Sequence, residues 1–395
     1  MVMRLVYLLI GSLLWSTGWS CDGYEVGQVY FGVNDYIEYR PGTLPLIVSV
    51  PHGGYLTPDE IEDRDCEGCT YVNDGFTQEL GYELYQAIFE QVGCYPHLII
   101  NHLDRRKLDG NRNLSEAADG DDLAEQAWLD FHTFISAAKA CVTDVYGKGF
   151  FVDLHGHGHS VQRIEYGYLI YEAELAFEDD VLNSTTYINY SSLRNLVNTN
   201  TMGLSHTDLL RGQGSLGTLT AEVGYPGVPS ASDPFPVAGQ PYFSGGYNTV
   251  THSSYQSGSI DGVQVECNQS IRFDSAARME FAVAFAGTLI DFTSTHYNVD
   301  GAYCVDTSVE AFEALSLTAY PNPGRGVLHV DVNGEMAPGG TVVLHDNLGR
   351  IVVAETMAQR SHQFSNLAPG SYILSYIDLS GQMQRLKWLN VEWMT

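Results

Sequence analysis

The sequence predicts a three-layer α/β domain built on a mixed sheet, followed by a small C-terminal β-sandwich. Two observations carry this. Short apolar runs alternate with helical stripes up to about residue 300. Beyond Leu315 no helical stripe occurs, and short strands alternate with Gly, Pro and Asn turns.

In the first part, strands are expected at Leu46–Val50, His97–Ile100, Phe150–Leu154, Tyr166–Tyr171, Thr218–Val223 and Val263–Cys267. Phe76, Leu80, Leu84, Ile88 and Val92 recur every four residues, so they line one face of a helix that Gly93 stops. Ala124, Trp128, Phe131, Ile135 and Ala138 form a second stripe, and Asp274–Phe292 a third. In the last part, strands are expected at Leu328–Val332, Thr341–His345, Ile351–Glu355, Ser371–Tyr376 and Gln384–Val391. The expected domains are therefore 1–20 as an export signal, 21–300 as the α/β domain, 301–314 as a linker and 315–395 as the sandwich.

The 395 residues carry a formal net charge of -29, and no basic stretch exists to neutralise phosphates, which excludes nucleic acid as a partner. Arg4, the apolar run Leu5–Trp15 and the small residues Ser16, Gly18 and Ser20 follow the order of a secretory signal. That run is too short to span a bilayer, so no transmembrane segment is expected in the mature chain. For an exported chain the loop pair Cys66 and Cys69 reads as a local disulfide, and the odd count of 7 cysteines leaves either one free thiol or one cysteine whose partner is lost elsewhere.

Polar clusters stand where expected strands end: Ser49–Gly54, Asp104–Arg106 with Asp109–Arg112, Asp153–His157, and Gln264–Glu266. In an open α/β sheet, residues beyond the carboxyl ends of different strands converge on one crevice. Each also has a plainer reading. His52 could serve a turn, Asp74 could cap the following helix, and His155 and His157 could belong to a glycine-rich loop. A separate histidine-rich metal site of His155, His157 and His159 is a further alternative.

The segments VPHGG, NDGFTQEL, RRKLDGNR, FVDLHGHG, FSGGYNT and GVQVE together resemble the N-formylglutamate amidohydrolase family, related to the zinc carboxypeptidases, from about Val48 to about Arg272. The resemblance implies a phosphorylase/hydrolase-like fold and one zinc held by His52, Asp74 and His155, with Glu60 and Glu62 as alternative carboxylates. Two imidazoles and one carboxylate leave a zinc position open, the catalytic arrangement. It further implies Asn111 and Arg112 as the grip on a substrate carboxylate; Arg105 or Arg106 could polarise the developing oxyanion, with Arg106 otherwise a neighbouring binding residue. The base is Glu266, in the family's glutamine-x-glutamate element, or Glu222. The implied activity is zinc-dependent hydrolysis of an amide bond next to a carboxylate, in an acidic N-acyl amino acid or peptide-like substrate such as poly-γ-glutamate. The alternative is a secreted carboxylate-binding protein with a degenerate, metal-free site.

AYPNPGRGVLHVDV, VVLHDNLGRIV and NLAPGSYILS resemble the C-terminal sorting domain of the type IX secretion system. That resemblance implies an immunoglobulin-like sandwich, passage through the outer-membrane secretion machinery, and a secreted or surface-held product.

Overall fold

The computed structural model describes residues 20–21, 23–297 and 316–390, the last without 323, 325, 334–339, 347–350, 358–360 and 378–382. The expected export signal, Ser20 apart, and the expected linker lie outside the described residues. The chain divides into two compact units, Met1–Tyr303 and Cys304–Thr395.

The first unit is built on a mixed eight-stranded sheet. Its strands are β1 (Tyr30–Phe31), β2 (Ile37–Arg40), β3 (Leu46–Val50), β4 (His97–Asn101), β5 (Gly149–His157), β6 (Ile164–Gly167), β7 (Gly227–Val228) and β8 (Ile260–Asn268). They lie in the order β1-β2-β4-β3-β5-β8-β6-β7. The central four, β4, β3, β5 and β8, run parallel, while β2 and β6 pair antiparallel with their neighbours β4 and β8. β3, β4 and β5 are buried almost throughout, so they read as continuous apolar runs rather than alternating ones.

Three long helices cover the sheet: α1 (Thr77–Val92), α2 (Asp122–Tyr146) and α3 (Ser275–Tyr297). Strand alternation sorts their contacts. Ile47, Ile99 and Phe151 share a core with Phe131, Phe134 and Ile135 of α2. The next residue along, Phe150, meets Phe292 and Tyr297 of α3 instead. The chain leaves β3 for β4 on one side and then crosses to β5 on the other. The crevice above the carboxyl end of β3 is therefore a switch point, where ligands bind in such sheets.

The structure departs from two sequence expectations. The strand expected at Tyr166–Tyr171 is Ile164–Gly167, and the left-handed backbone of Leu169 (φ 67°) bars its continuation. The strand expected at Thr218–Val223 is a helix, Leu216–Glu222. Its β-branched threonines suit a strand, but Ser215 caps the first turn, and Leu216 and Thr220 bury themselves one turn apart.

The second unit holds two antiparallel sheets. One contains Ser316–Tyr320, Val327–Asn333 and Ser361–Ser365; the other Ile351–Thr356, Thr341–Asp346, Gly370–Ile377 and Met383–Asn390. One apolar core joins them, with Leu328, Val330 and Phe364 from the first and Val342, Leu344, Leu374 and Tyr376 from the second. Cys66 and Cys69 are joined as expected, Cys94 and Cys141 are also in disulfides, and Cys267 is a buried free thiol. Among the described residues no helix is long and apolar enough to cross a membrane.

Candidate functional site

His52 lies two residues past β3. Its carbonyl accepts the Asp74 N–H at 3.0 Å, which ties the two loops together. Asn101 donates to the Pro51 carbonyl at 2.8 Å and fixes the same turn from β4. Gly54 passes so close to the His102 carbonyl group that a Cβ would sit 2.2 Å from it, so this turn excludes any side chain there. Asp74 does not cap α1. Thr77 bonds the Asp74 carbonyl through its own N–H and hydroxyl, and the Asp74 carboxylate is left facing inward.

The donor atoms of His52, Asp74 and His155 lie within 4.8 Å of one another, and all three residues are buried. Nδ1 of His52 is 3.4 Å and Nδ1 of His155 is 3.0 Å from the same oxygen, Oδ2 of Asp74. Each ring is anchored from behind: His52 Nε2 meets Asp109 Oδ1 at 2.6 Å, and His155 Nε2 meets Asp153 Oδ2 at 2.7 Å. Asp153 in turn accepts from Ser49 Oγ at 2.5 Å and from Asn248 Nδ2 at 3.1 Å. A carboxylate on the far nitrogen of each imidazole fixes its tautomer and leaves Nδ1 free for a cation, the usual arrangement around protein-bound metals. The donor set thus fits a divalent metal, and fits zinc by ligand type.

Burial alone would push the Asp74 carboxyl up, but hydrogen bonds from His155 and His52 outweigh it and hold it well below the carboxylate range. Burial would likewise lower His155, yet the charge and hydrogen bond of Asp153 carry it well above the histidine range. In Asp109 burial is overcome by the charge and hydrogen bond of His52 and by Arg105, and its carboxyl is held far down.

Glu266 stands beside His155, because β8 pairs in register with β5: Gln264 with Asp153 and Glu266 with His155. Burial pushes the Glu266 carboxyl up to about 8, against the opposing pull of His155. Gln264 donates to it at 2.8 Å, and Asn111 lies 3.4 Å from Gln264 and 3.3 Å from His155 Nε2.

The arginines separate. Arg105 is buried, with Nε 2.9 Å from Asp109 and Nη1 3.6 Å from Asp74 Oδ1. Arg106 is exposed and pairs with Asp104 at 3.0 Å. Arg112 is half-buried; it pairs with Glu116 at 3.1 Å and donates to the Asn111 carbonyl at 2.9 Å.

Glu222 is not brought to the cluster: it is exposed as the last residue of its helix. Glu60 and Glu62 are also exposed, and Glu60 accepts from Tyr36 at 2.8 Å. The alternative grouping of His155 with His157 and His159 does not form among the described residues. His157 and His159 gather instead around Glu165. There His157 bonds the Arg163 carbonyl through Nε2 and the His159 N–H through Nδ1, so both ring nitrogens are engaged.

Residues 318–387 match the secretion system C-terminal sorting domain. The protein is accordingly secreted or held at the cell surface, and the domain implies an encounter with the type IX secretion machinery. N-formylglutamate amidohydrolase from Ralstonia eutropha JMP134 is a structural neighbour at 12% identity and TM-score 0.39, over 64% of this chain and 93% of that one. PorZ, a surface component of the type IX secretion system of Porphyromonas gingivalis, is similar over 19% of this chain at 17% identity and TM-score 0.17; the chain spans 11% of PorZ's length. CopC from Methylosinus trichosporium OB3b is similar over 20% of this chain and 89% of its own, at 18% identity and TM-score 0.16. No curated protein matches the chain.

Asp109, Asn248, Asn73 and Arg64 support the site without any role that the sequence alone points to. Asn73 Oδ1 accepts the Arg105 N–H at 2.7 Å. The buried Arg64 guanidinium donates to the Arg105 carbonyl at 2.6 Å and lies 3.9 Å from Asp109. Asp109 sits in the LDGNR segment and Asn248 in GGYNT, so the signal was present in segments already singled out. Arg64 gave none.

Proposed function

We propose that the chain is an exported, zinc-dependent hydrolase that cleaves an amide bond next to a carboxylate in an N-acyl amino acid or peptide-like substrate. The observation that carries this reading is the pair of imidazoles, each tethered at Nε2 by its own buried carboxylate and each turning Nδ1 to Asp74. His52, Asp74 and His155 would hold the metal. When bound there, zinc would lower the pKa of water toward neutrality and polarise the scissile carbonyl. Glu266, whose ionised form a cation bound beside it would favour, takes the proton from the attacking water and returns it to the leaving nitrogen. Gln264 and Asn111 hold Glu266 and His155 in place. Arg105 orients Asp74 and Asp109 and adds positive charge beside the developing oxyanion. Arg112, at the Asn111 corner, meets the substrate carboxylate by exchanging its exposed pairing with Glu116, which is a weak contact.

The fold that goes with this reading is a three-layer α/β domain over 21–300, a linker over 301–314, and an immunoglobulin-like sandwich over 315–395 that serves export. The division of sheet contacts between α2 and α3 supports the first, and the shared core of the two small sheets supports the last. Metal analysis of the purified chain tests the proposal. About one zinc per chain is expected, lost in His52→Ala and in His155→Ala. Full zinc occupancy in both variants would show the ligand assignment to be wrong. Release of free amine from a panel of N-acyl amino acids and γ-linked peptides tests the reaction.

A further inference from the structure

Beside the cluster lies a cavity of about 460 Å³, the size of small-molecule sites. Tyr171, Tyr187, Tyr190 and Tyr255 line it, together with Leu169 and Val250. Its sole carboxylate is Glu174, and among the described residues no Lys, Arg or His lines it. Tyr190 and Tyr255 face each other with ring centroids 6.0 Å apart, while Tyr171 and Tyr190 are more than half exposed, so the cavity opens to solvent.

None of the lining residues belongs to the metal-ligating cluster, but the two meet at Gly246. A Cβ on Gly246 would sit 2.5 Å from Asn111 Nδ2 and 2.9 Å from Gln264 Oε1, so the cavity wall rests directly on the two side chains that hold His155 and Glu266. The segment is pinned at both ends. Leu169 N–H donates to the Ser244 carbonyl at 2.6 Å, and Asn248 N–H donates to Asn111 Oδ1 at 2.7 Å. A substrate whose amide lies at the cluster therefore has this cavity next to it, across Gly246 from Asn111 and Gln264.

We infer that this cavity receives an uncharged aromatic or bulky apolar side chain on the substrate residue next to the cleaved amide. The inference rests on the amide-hydrolase reading of the cluster and narrows its substrate class. Tyrosine walls offer ring faces and edges to an aromatic group, and Leu169 and Val250 extend the apolar surface. An acidic side chain would meet no cation there and one like charge, Glu174, so its carboxylate gains no charged partner in exchange for the water it gives up. The acid recognised by the enzyme is then the α-carboxylate near Arg112, not a side-chain carboxylate.

Two measurements on the full chain test this separately from catalysis. Calorimetric binding is compared for N-acetyl-phenylalanine, N-acetyl-leucine, N-acetylglutamate and N-acetylglucosamine. The phenylalanine derivative should bind at least about tenfold more tightly than the glutamate one, the discrimination an apolar pocket gives. Tyr190→Ala and Val250→Glu, both at exposed positions, should each remove that preference. Equal or tighter binding of N-acetylglutamate or of N-acetylglucosamine overturns the inference, as does an unchanged preference in both variants. Amine release is then followed for the same N-acetyl amino acids. Preferential binding of the phenylalanine derivative without hydrolysis of any of them sinks the hydrolase reading and leaves the pocket standing. Hydrolysis that favours the glutamate derivative does the reverse.

Discussion

Asp109→Asn separates a tethered metal site from a merely polar cluster. Asp109 is 1% exposed, and its two oxygens do different work. Oδ1 accepts from His52 Nε2 at 2.6 Å and from Asn111 N–H at 3.0 Å, while Oδ2 accepts from Arg105 Nε at 2.9 Å. Asparagine has the same shape but one acceptor oxygen. With that oxygen toward His52, the amide N–H groups face the Arg105 guanidinium, donor against donor. With the amide turned over, they face His52 Nε2, and the ring proton must move to Nδ1, the atom assigned to the metal. Either orientation weakens the site. Losing such a support costs roughly 10–100-fold in metal affinity, or about 1.4–2.7 kcal/mol. Zinc affinity is read by competition with a chromogenic chelator. The melting temperature of the zinc-free protein is followed alongside, because lost hydrogen bonds to charged groups cost about 1.5–3 kcal/mol of fold stability on their own. Glu116→Gln, at the surface partner of Arg112, serves as the control and should leave affinity unchanged. A folded Asp109→Asn protein that binds zinc within about threefold of the parent would refute the tether argument.

Four other outcomes are expected. Glu266→Gln should lose roughly a hundredfold or more in turnover while keeping its metal, and Glu222→Gln should stay active; the reverse pattern in a turnover assay rejects the choice of base. Arg112→Lys keeps the charge but loses the fork, so use of free-carboxylate substrates should fall while amidated analogues change little; equal losses on both mean a structural role. A chain ended after Tyr303, the boundary of the first compact unit, should fold and keep its activity but no longer be exported; loss of cooperative unfolding shows that the second unit is needed for the fold. The Glu38 carboxyl, which burial alone would raise, is held down at about 2 from an ordinary 4.5 by His102, Arg40 and Tyr82. Its stabilisation is therefore present above the unfolded value and is lost as pH falls through about 2. Urea unfolding of Glu38→Gln should show a deficit of about 3 kcal/mol at pH 7 that shrinks toward pH 2; a deficit that does not vary with pH excludes the linkage.

The sequence by itself determined the alternation of strands and helices, the change of character after residue 300, and the segments that meet at the crevice. Period-four stripes such as Phe76–Val92 and apolar runs such as Leu46–Val50 are local signals, written in consecutive residues. They failed where local propensity met a stronger constraint. The threonines of Leu216–Glu222 read as a strand, but a cap and one buried face made a helix, and that moved Glu222 to the surface. Asp153 behind His155 was legible, because two residues apart on a strand they share a face, but only the tertiary structure decided which acid stands behind His52. Asp109 behind His52 is 57 positions away, and Asn248 behind Asp153 is 95 positions away. No periodicity links such residues; the order β4-β3-β5-β8 brings the four loops to one end of the sheet. The tertiary structure also parted three arginines that lie within one short segment. A turn of a few residues sends Arg105 inward to Asp109 and Asp74 and leaves Arg106 in water, because only one of two adjacent side chains can face a buried carboxylate.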